Sequence, residues 1–303
     1  MTDSVPLTLL ESARWQDYAL LDSGDGLKLE RFGKYVFVRP ESQAMWKRSL
    51  DKEWREAHAV FVPTGEESGG HWDFKKKVDE QWEMRYPLNA GPSGKGELIF
   101  RTMTTPGRHL GVFPEVAAHW DWFSDLITRS KKELNVLNLF GYTGLASLAA
   151  AAAGAKVTHV DASKKSVGWA RENQALSGLT GAPIRWIVDD AVKFVQREAR
   201  RGVKYEGIIL DPPKFGRGPK GEVWEVYKSL PGLLETCREC LSSNPLFLVI
   251  TLYAVRASAI HVAQALDEMM KGYGGKIDSG ELVTREQSAG RLLSQAVYAR
   301  WER

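Results

Sequence analysis

From residue 15 to 86 the apolar positions fall in short runs broken by turn residues. Tyr18 to Leu21, Leu27 to Arg31 and Tyr35 to Arg39 each predict a strand, with turns at Ser23 to Gly26 and at Gly33, and a stop at Pro40. "HWDFKKKVDEQWEMRY" predicts a further strand or hairpin, so residues 1–90 read as a small N-terminal antiparallel β domain. The stretch "PLNAGPSGKG", Pro87 to Gly96, reads as a linker.

From about Leu98 the period changes. Apolar residues at helical spacing follow Pro114. Then come strand Val136 to Leu139, helix Leu145 to Ala153 closed by Gly154, strand Val157 to Val160, and a helix from Lys164 to Ser177 with Ser163 as N-cap. Strand Ile184 to Val188, helix Val192 to Arg200, strand Gly207 to Leu210, helix Trp224 to Leu241, strand Leu246 to Ile250 and helix Ser258 to Lys271 continue the alternation. "RLLSQAVYARWE" closes it as a strand. Such a rhythm predicts an α/β fold, doubly wound around a mainly parallel sheet, over residues 91–303.

Composition adds limits. With 43% hydrophobic and 26% charged residues the chain is an ordinary globular one, and its 303 residues suit a main domain with a smaller companion. Cys237 and Cys240 are the only cysteines, so no disulfide framework is expected and a reducing, cytoplasmic setting is. The N-terminus lacks a basic region followed by an apolar core. The longest small and apolar run, Leu145 to Ala155, is too short to cross a bilayer. A net charge of +3 permits a polyanionic partner without requiring one.

In open α/β sheets ligands bind beyond the carboxyl ends of the strands, so the residues just after each strand matter most. Four such places carry candidate chemistry. "FGYTG", Phe140 to Gly144, lets backbone approach a ligand at a helix N-terminus but lacks the G-x-G-x-x-G spacing that wraps a pyrophosphate. Asp161 lies at the separation from Gly141 where a carboxylate reaches both ribose hydroxyls. "VDDA" supplies Asp189 and Asp190, acceptors suited to an exocyclic amine, and "LDPPKFGRG" follows the fourth strand. Each is weak alone, being ordinary punctuation or a helix cap, but four in succession at strand ends are not ordinary.

"NLFGYTG", "VTHVDAS", "IVDDA" and "EGIILDPPKFGRG" resemble the successive motifs of class I S-adenosylmethionine-dependent methyltransferases. Within that class they are similar to the bacterial large-subunit (23S) ribosomal RNA methyltransferases that modify cytosine C5 or guanine N7. The likeness is strong over 98–303, and "LDSGDGLKLERFGKYVFVRP" resembles the small β domain of that group, while the PUA domain of some members is not seen. The resemblance implies a Rossmann-like seven-stranded sheet, S-adenosylmethionine as cofactor, no metal, and RNA as partner. It implies that Phe140, Gly141, Tyr142, Thr143 and Gly144 meet the methionine part, Asp161 the ribose, Ala162 and Ser163 the adenine edge, and Asp190 with Ala191 the adenine amine. Asn173 matches an asparagine of RNA-acting members or is a solvated helix residue.

Methyl transfer needs alignment of acceptor and methyl and somewhere for any released proton. Asp211, Pro212 and Pro213 suit a catalytic ledge, since prolines fix φ and leave only acceptors: one carboxylate and two carbonyls. Lys214, Phe215 and Arg217 are substrate-binding candidates, offering phosphate contacts and a stacking face, with Lys220 on the same loop. One departure matters. Members that methylate cytosine C5 carry a nucleophilic cysteine after the fifth strand, where this chain has Thr251, Leu252 and Tyr253. Cys237 and Cys240, in "TCREC", read as a packed pair. The expectation is transfer to a base nitrogen, with a 2′-hydroxyl open. A small-molecule or protein acceptor, or a silent RNA-binding factor, are the other readings.

Overall fold

The computed structural model describes residues 7–64, 69–88 and 96–303. In chain order the elements are β1 (Leu7–Glu11), β2 (Tyr18–Gly24), β3 (Leu27–Phe32), β4 (Tyr35–Pro40), α1 (Asp51–Arg55), β5 (Ala59–Pro63), β6 (Gly70–Phe74), β7 (Trp82–Leu88) and β8 (Gly96–Thr102). A 3-10 turn at Pro114–Val116 leads into α2 (Ala117–Ser130), β9 (Asn135–Leu139), α3 (Leu145–Ala152), β10 (Lys156–Asp161), α4 (Lys164–Leu176), β11 (Ile184–Val188), α5 (Ala191–Arg200) and β12 (Gly207–Leu210). The rest are β13 (Phe215–Arg217), β14 (Val223–Glu225), α6 (Val226–Glu239), β15 (Phe247–Leu252), α7 (Ala259–Met270), β16 (Lys276–Arg285) and β17 (Leu292–Glu302).

The main sheet runs β1-β16-β17-β15-β12-β9-β10-β11. Its centre is parallel, and β12 and β15, "GIIL" and "FLVITL", are buried along their whole length, as strands covered by helices on both faces must be. The connection after β9 goes outward to β10 and the one after β11 returns to β12 on β9's other side. The carboxyl ends of β9, β10 and β12 therefore surround the switch point. Near β15 the antiparallel β17 is inserted, and β16 pairs with it.

Seven of the eight strands form the expected sheet, and the eighth is β1, which adds in parallel to β16 at the edge. Gly280 makes that contact possible: a Cβ there would collide with the backbone of Thr8. The small sheet, β2-β3-β4-β5-β6, is antiparallel except for the β4–β5 pair. The expected linker falls largely on 89–95, as does the expected boundary after residue 90, outside the described residues. The flanking β7 and β8 pair with each other from Trp82↔Thr102 to Leu88↔Gly96.

One apolar cluster unites Phe32 and Phe37 of the small sheet, Tyr86 and Phe100 of the β7–β8 pair, and Trp120 and Phe123 of α2. Trp15 and Tyr86 sit 4.6 Å apart and Tyr86 and Trp120 5.4 Å apart. Such aromatic pairs add about 0.5–1.5 kcal/mol each beyond burial. A second cluster on the opposite face packs α5, α6 and α7 against the sheet. Asp22 closes the join to the C-terminal hairpin. Its buried carboxylate accepts from Ser49 N (2.7 Å), Leu50 N (2.9 Å), Trp54 Nε1 (2.8 Å) and Ser288 Oγ (2.6 Å). Among the described residues no helix is long and apolar enough to cross a membrane.

Candidate active site

The turn after β9 holds two non-glycine residues in the left-handed region, Phe140 at φ 60° and Tyr142 at φ 49°. Such backbone costs about 1–3 kcal/mol per residue and persists only where its surroundings enforce it. Here they do. Gly141 N–H donates to Val160 O at 3.0 Å and Tyr142 N–H to Asp161 Oδ2 at 2.9 Å. Thr143 Oγ1 donates to Gly111 O at 2.7 Å, and Asn173 Nδ2 to Thr143 O at 3.0 Å. Beneath the turn lies the fully buried His159 ring, on which a Cβ at residue 141 would collide. That ring is pinned by Ser147 Oγ at 3.0 Å and Trp186 at 4.7 Å, and Ser147 in turn accepts from Asn138 Nδ2 at 2.9 Å. Burial drops the His159 pKa to about 3, so the imidazole is neutral packing.

Asp161 ends β10 with its carboxylate spread between two backbone donors, Ser163 N–H on Oδ1 at 2.8 Å and Tyr142 N–H on Oδ2 at 2.9 Å. Burial raises its pKa, outweighing those bonds. Each oxygen keeps a lone pair, so a pair of vicinal hydroxyls could be received there. Ala162 is partly buried beside it, and Ser163 caps α4 by accepting from Ser166 N at 3.1 Å. Asp190 likewise caps α5, Oδ1 accepting from Lys193 N at 2.9 Å, which leaves Oδ2 for another donor; Ala191 is buried behind it. Asp189 is turned away into an ion pair with Arg197. This set of groups fits an adenosine carrying a polar arm: two carboxylates that accept hydrogen bonds beside a tight turn that opens α3, whose N-terminal N–H groups favour a carboxylate.

Asp211 leaves β12 facing the same end. Burial, together with Glu115 nearby, pushes its carboxyl up to about 8. Pro212 is buried, while the Pro213 carbonyl already accepts from Trp224 Nε1 at 2.6 Å, so the ledge consists chiefly of Asp211 and the Pro212 oxygen. The expected basic loop is a short β13–β14 hairpin. Phe215 and Arg217 are exposed on it, Lys214 Nζ lies 5.3 Å from the Phe215 ring centre, and Glu222 ties it to Lys193 of α5 at 2.6 Å.

At the end of β15, Thr251 and Leu252 are buried and no thiol is present. Both cysteines are buried on and just after α6, Cys240 Sγ donating to Val195 O at 3.7 Å, and burial raises both thiol pKa values, Cys240 to about 11. They are core.

Asn173, read from sequence as an RNA-related or solvated residue, is fully buried and braces the turn, its Oδ1 accepting from Arg101 N at 2.9 Å. Sequence reasoning also passed over Tyr253, noted only for not being cysteine. Its ring lies 5.1 Å from Phe113, which stands 4.8 Å from His109 and 5.8 Å from Tyr142. This aromatic wall joins the β9 turn to the end of β15. Only three-dimensional proximity reveals it.

No family profile matches the sequence. The chain is 40% identical over 121 residues to the ribosomal RNA large subunit methyltransferase K/L of Shewanella frigidimarina, covering 39% of this chain and 17% of that one. The corresponding protein of Pseudoalteromonas atlantica is 38% identical over 118 residues, covering 38% of this chain and 16% of that one. Among solved structures, a putative S-adenosylmethionine-dependent methyltransferase from Streptococcus mutans shares the fold at TM-score 0.68 and 18% identity, covering 95% of this chain and 76% of that one. A crystal structure of a SAM-dependent methyltransferase from Agrobacterium tumefaciens superposes with TM-score 0.90 at 48% identity, over 100% of this chain and 96% of that one. With identity of that order sustained over nearly both whole chains, this protein belongs to the S-adenosylmethionine-dependent methyltransferases and is an enzyme using that cofactor.

Proposed function

We propose that this enzyme methylates RNA, specifically ribosomal RNA, at a base nitrogen rather than at cytosine C5. The observation that carries the reading is the end of the acceptor side: Asp211 and the Pro212 carbonyl form a rigid acceptor ledge, and the neighbouring end of β15 offers Tyr253 where C5 chemistry requires a thiol. The matching segment in relatives named as large-subunit ribosomal RNA methyltransferases supports RNA as the acceptor.

The cofactor supplies an electrophilic methyl group. Phe140 to Gly144 would hold its amino-acid arm at the α3 N-terminus, Asp161 its ribose hydroxyls with Ala162 and Ser163 alongside, and Asp190 Oδ2 its adenine amine beside Ala191. Asp211 accepts N–H from the acceptor base and holds the base edge in line with the methyl. Phe215 stacks on a base, and Lys214 and Arg217 meet phosphates. Residues 1–90 serve as a companion domain to the catalytic part, and the protein works in the cytoplasm with its RNA.

The test is transfer of radiolabelled methyl to undermodified ribosomal RNA, followed by nucleoside identification. A labelled N-methylated base supports the reading; 5-methylcytosine overturns the argument from the missing thiol. Cofactor binding without RNA labelling would point to a protein or small-molecule acceptor or to a silent RNA-binding factor.

A further inference from the structure

Behind Asp211 lies a polar group without a role in holding the fold. The Tyr253 hydroxyl is sealed from solvent and has no hydrogen bond of good geometry, although the Glu115 carboxyl lies within its reach, and its ring is fixed against Phe113. The carboxyls of Glu115 and Asp211 are the charged groups facing it. Glu115 is itself buried, at 6% exposure, in the 3-10 turn before α2. Glu115 also lines a cavity of about 140 Å³ between the β1–β2 connection and the turn after β16, together with Glu11, Ser12, Trp15, Arg285 and Gln287. Glu11, Arg285 and Gln287 are exposed, so the cavity reaches the surface, and its volume admits several waters. The Tyr253 hydroxyl thus shares a buried space with a carboxyl at the acceptor ledge and with a carboxyl that lines a wet cavity.

We propose that Tyr253 and Glu115 are positioning residues that carry the proton of the acceptor from Asp211 to the cavity, and that the acceptor is accordingly an exocyclic base amine, which must lose a proton on methylation, rather than a ring nitrogen such as guanine N7, which does not. The inference rests on the base-nitrogen reading above. In the enzyme whose Asp211 is ionised, a fraction that grows as pH approaches its pKa of about 8, the surplus proton passes to the Asp211 carboxylate once the amine nitrogen is bonded to carbon. Asp211 then protonates the Tyr253 oxygen as the phenol gives its own proton to the Glu115 carboxylate, and Glu115 releases it to water. All three groups return to their starting states, with one proton moved from amine to solvent.

Burial, the larger effect, leaves the Glu115 pKa raised, which suits it to take a proton, while Lys28 of β3 and Arg39 of β4, buried nearby, lower its proton affinity and so favour release to water. Arg39 is paired to Glu30 at 2.7 Å, Glu30 also accepts from Tyr18 at 3.0 Å, and His109, its pKa dropped to about 3, adds no charge. The small β domain thereby biases a proton path in the catalytic domain.

The test compares wild type, Tyr253→Phe and Glu115→Gln in single-turnover methyl transfer to RNA across pH, with cofactor affinity measured by calorimetry and the product nucleoside identified. Each variant is expected to bind cofactor like wild type, to lose on the order of 10- to 100-fold in rate near neutral pH, and to regain rate as pH rises and hydroxide replaces the relay. The double variant should be no slower than the worse single one. A pH profile unchanged in Tyr253→Phe, or guanine N7 as the labelled position, overturns the relay while leaving the base-nitrogen reading intact; 5-methylcytosine overturns both. Difference infrared spectra of the cofactor-free protein give a second readout: the Asp211 carboxylic-acid band, assigned by its loss in Asp211→Asn, should shift in Tyr253→Phe and in Glu115→Gln. Indifference of that band would mean the three groups are uncoupled and would refute the path.

Discussion

Replacing Gly141 by alanine probes how the strained turn is held over the sheet. The added Cβ would lie 3.1 Å from His159 Nε2 and closer still to Cε1 and Nδ1. The ring cannot retreat, because it is 0% exposed, fixed by Ser147 Oγ at 3.0 Å and by the Trp186 ring at 4.7 Å. Overpacking of this kind costs about 1–3 kcal/mol. If the turn instead moved outward, it would give up the Gly141–Val160 bond, about 1 kcal/mol, and the charge-assisted Tyr142–Asp161 bond, about 2 kcal/mol. The two routes together predict a loss of about 1–3 kcal/mol in urea unfolding. The outward route also displaces Asp161 from the turn, so S-adenosylmethionine affinity should fall about tenfold, equivalent to about 1.4 kcal/mol. His159→Ala removes the obstacle at the expense of a cavity, and the double variant should therefore be more stable than the sum of the single effects by about 1–3 kcal/mol. Strict additivity, or a neutral Gly141→Ala, would show that His159 does not press on the turn.

Asp161→Ala should weaken cofactor binding by a few kcal/mol at most, through lost charge-assisted bonds, and calorimetry showing unchanged affinity would remove the role given to it. Because Asp211 is raised from 3.8 to about 8, folding imposes a penalty on its ionised form that is absent below about pH 4 and complete above about pH 8. Asp211→Asn should accordingly match the parent's stability at acid pH, exceed it at alkaline pH, and transfer methyl slowly throughout; parallel stability curves would contradict the assignment. Asp22→Ala leaves four donors without their acceptor, each worth about 1–3 kcal/mol, so urea unfolding should report a loss of at least about 4 kcal/mol with cofactor affinity little changed. Burial raises the Asp22 pKa but the four bonds outweigh it, so in the parent protein this stabilisation fades as pH falls below about 4. A loss under about 1 kcal/mol would mean water replaces the carboxylate freely.

The order of strands and helices from Asn135 to Leu252 was legible in the sequence because central parallel strands are continuous apolar runs and the helices between them carry a 3.6-residue pattern. The convergence of Phe140 to Gly144, Asp161, Asp190 and Asp211 at one end of the sheet was legible for the same reason, since locating the strand ends locates the polar residues at the switch point; the cofactor roles given to them came from the resemblance. Other elements depend on partners far along the chain. β1, "LTLLE", was assigned no strand from the sequence, because its partner β16 lies more than two hundred residues away and is approached closely over Gly280. Asn173 reads as a surface residue until β8 lies across α4 and Arg101 N finds its side chain. Glu115 and Tyr253 belong to segments that meet only after the sheet has formed, with Lys28 and Arg39 brought beside Glu115 by the small sheet. Local pattern determined the elements and their order, because backbone hydrogen bonding and amphipathic burial act over a few residues. The tertiary structure alone decided which charges and hydroxyls share a dry space, because burial and electrostatic coupling depend on distance in space and not along the chain.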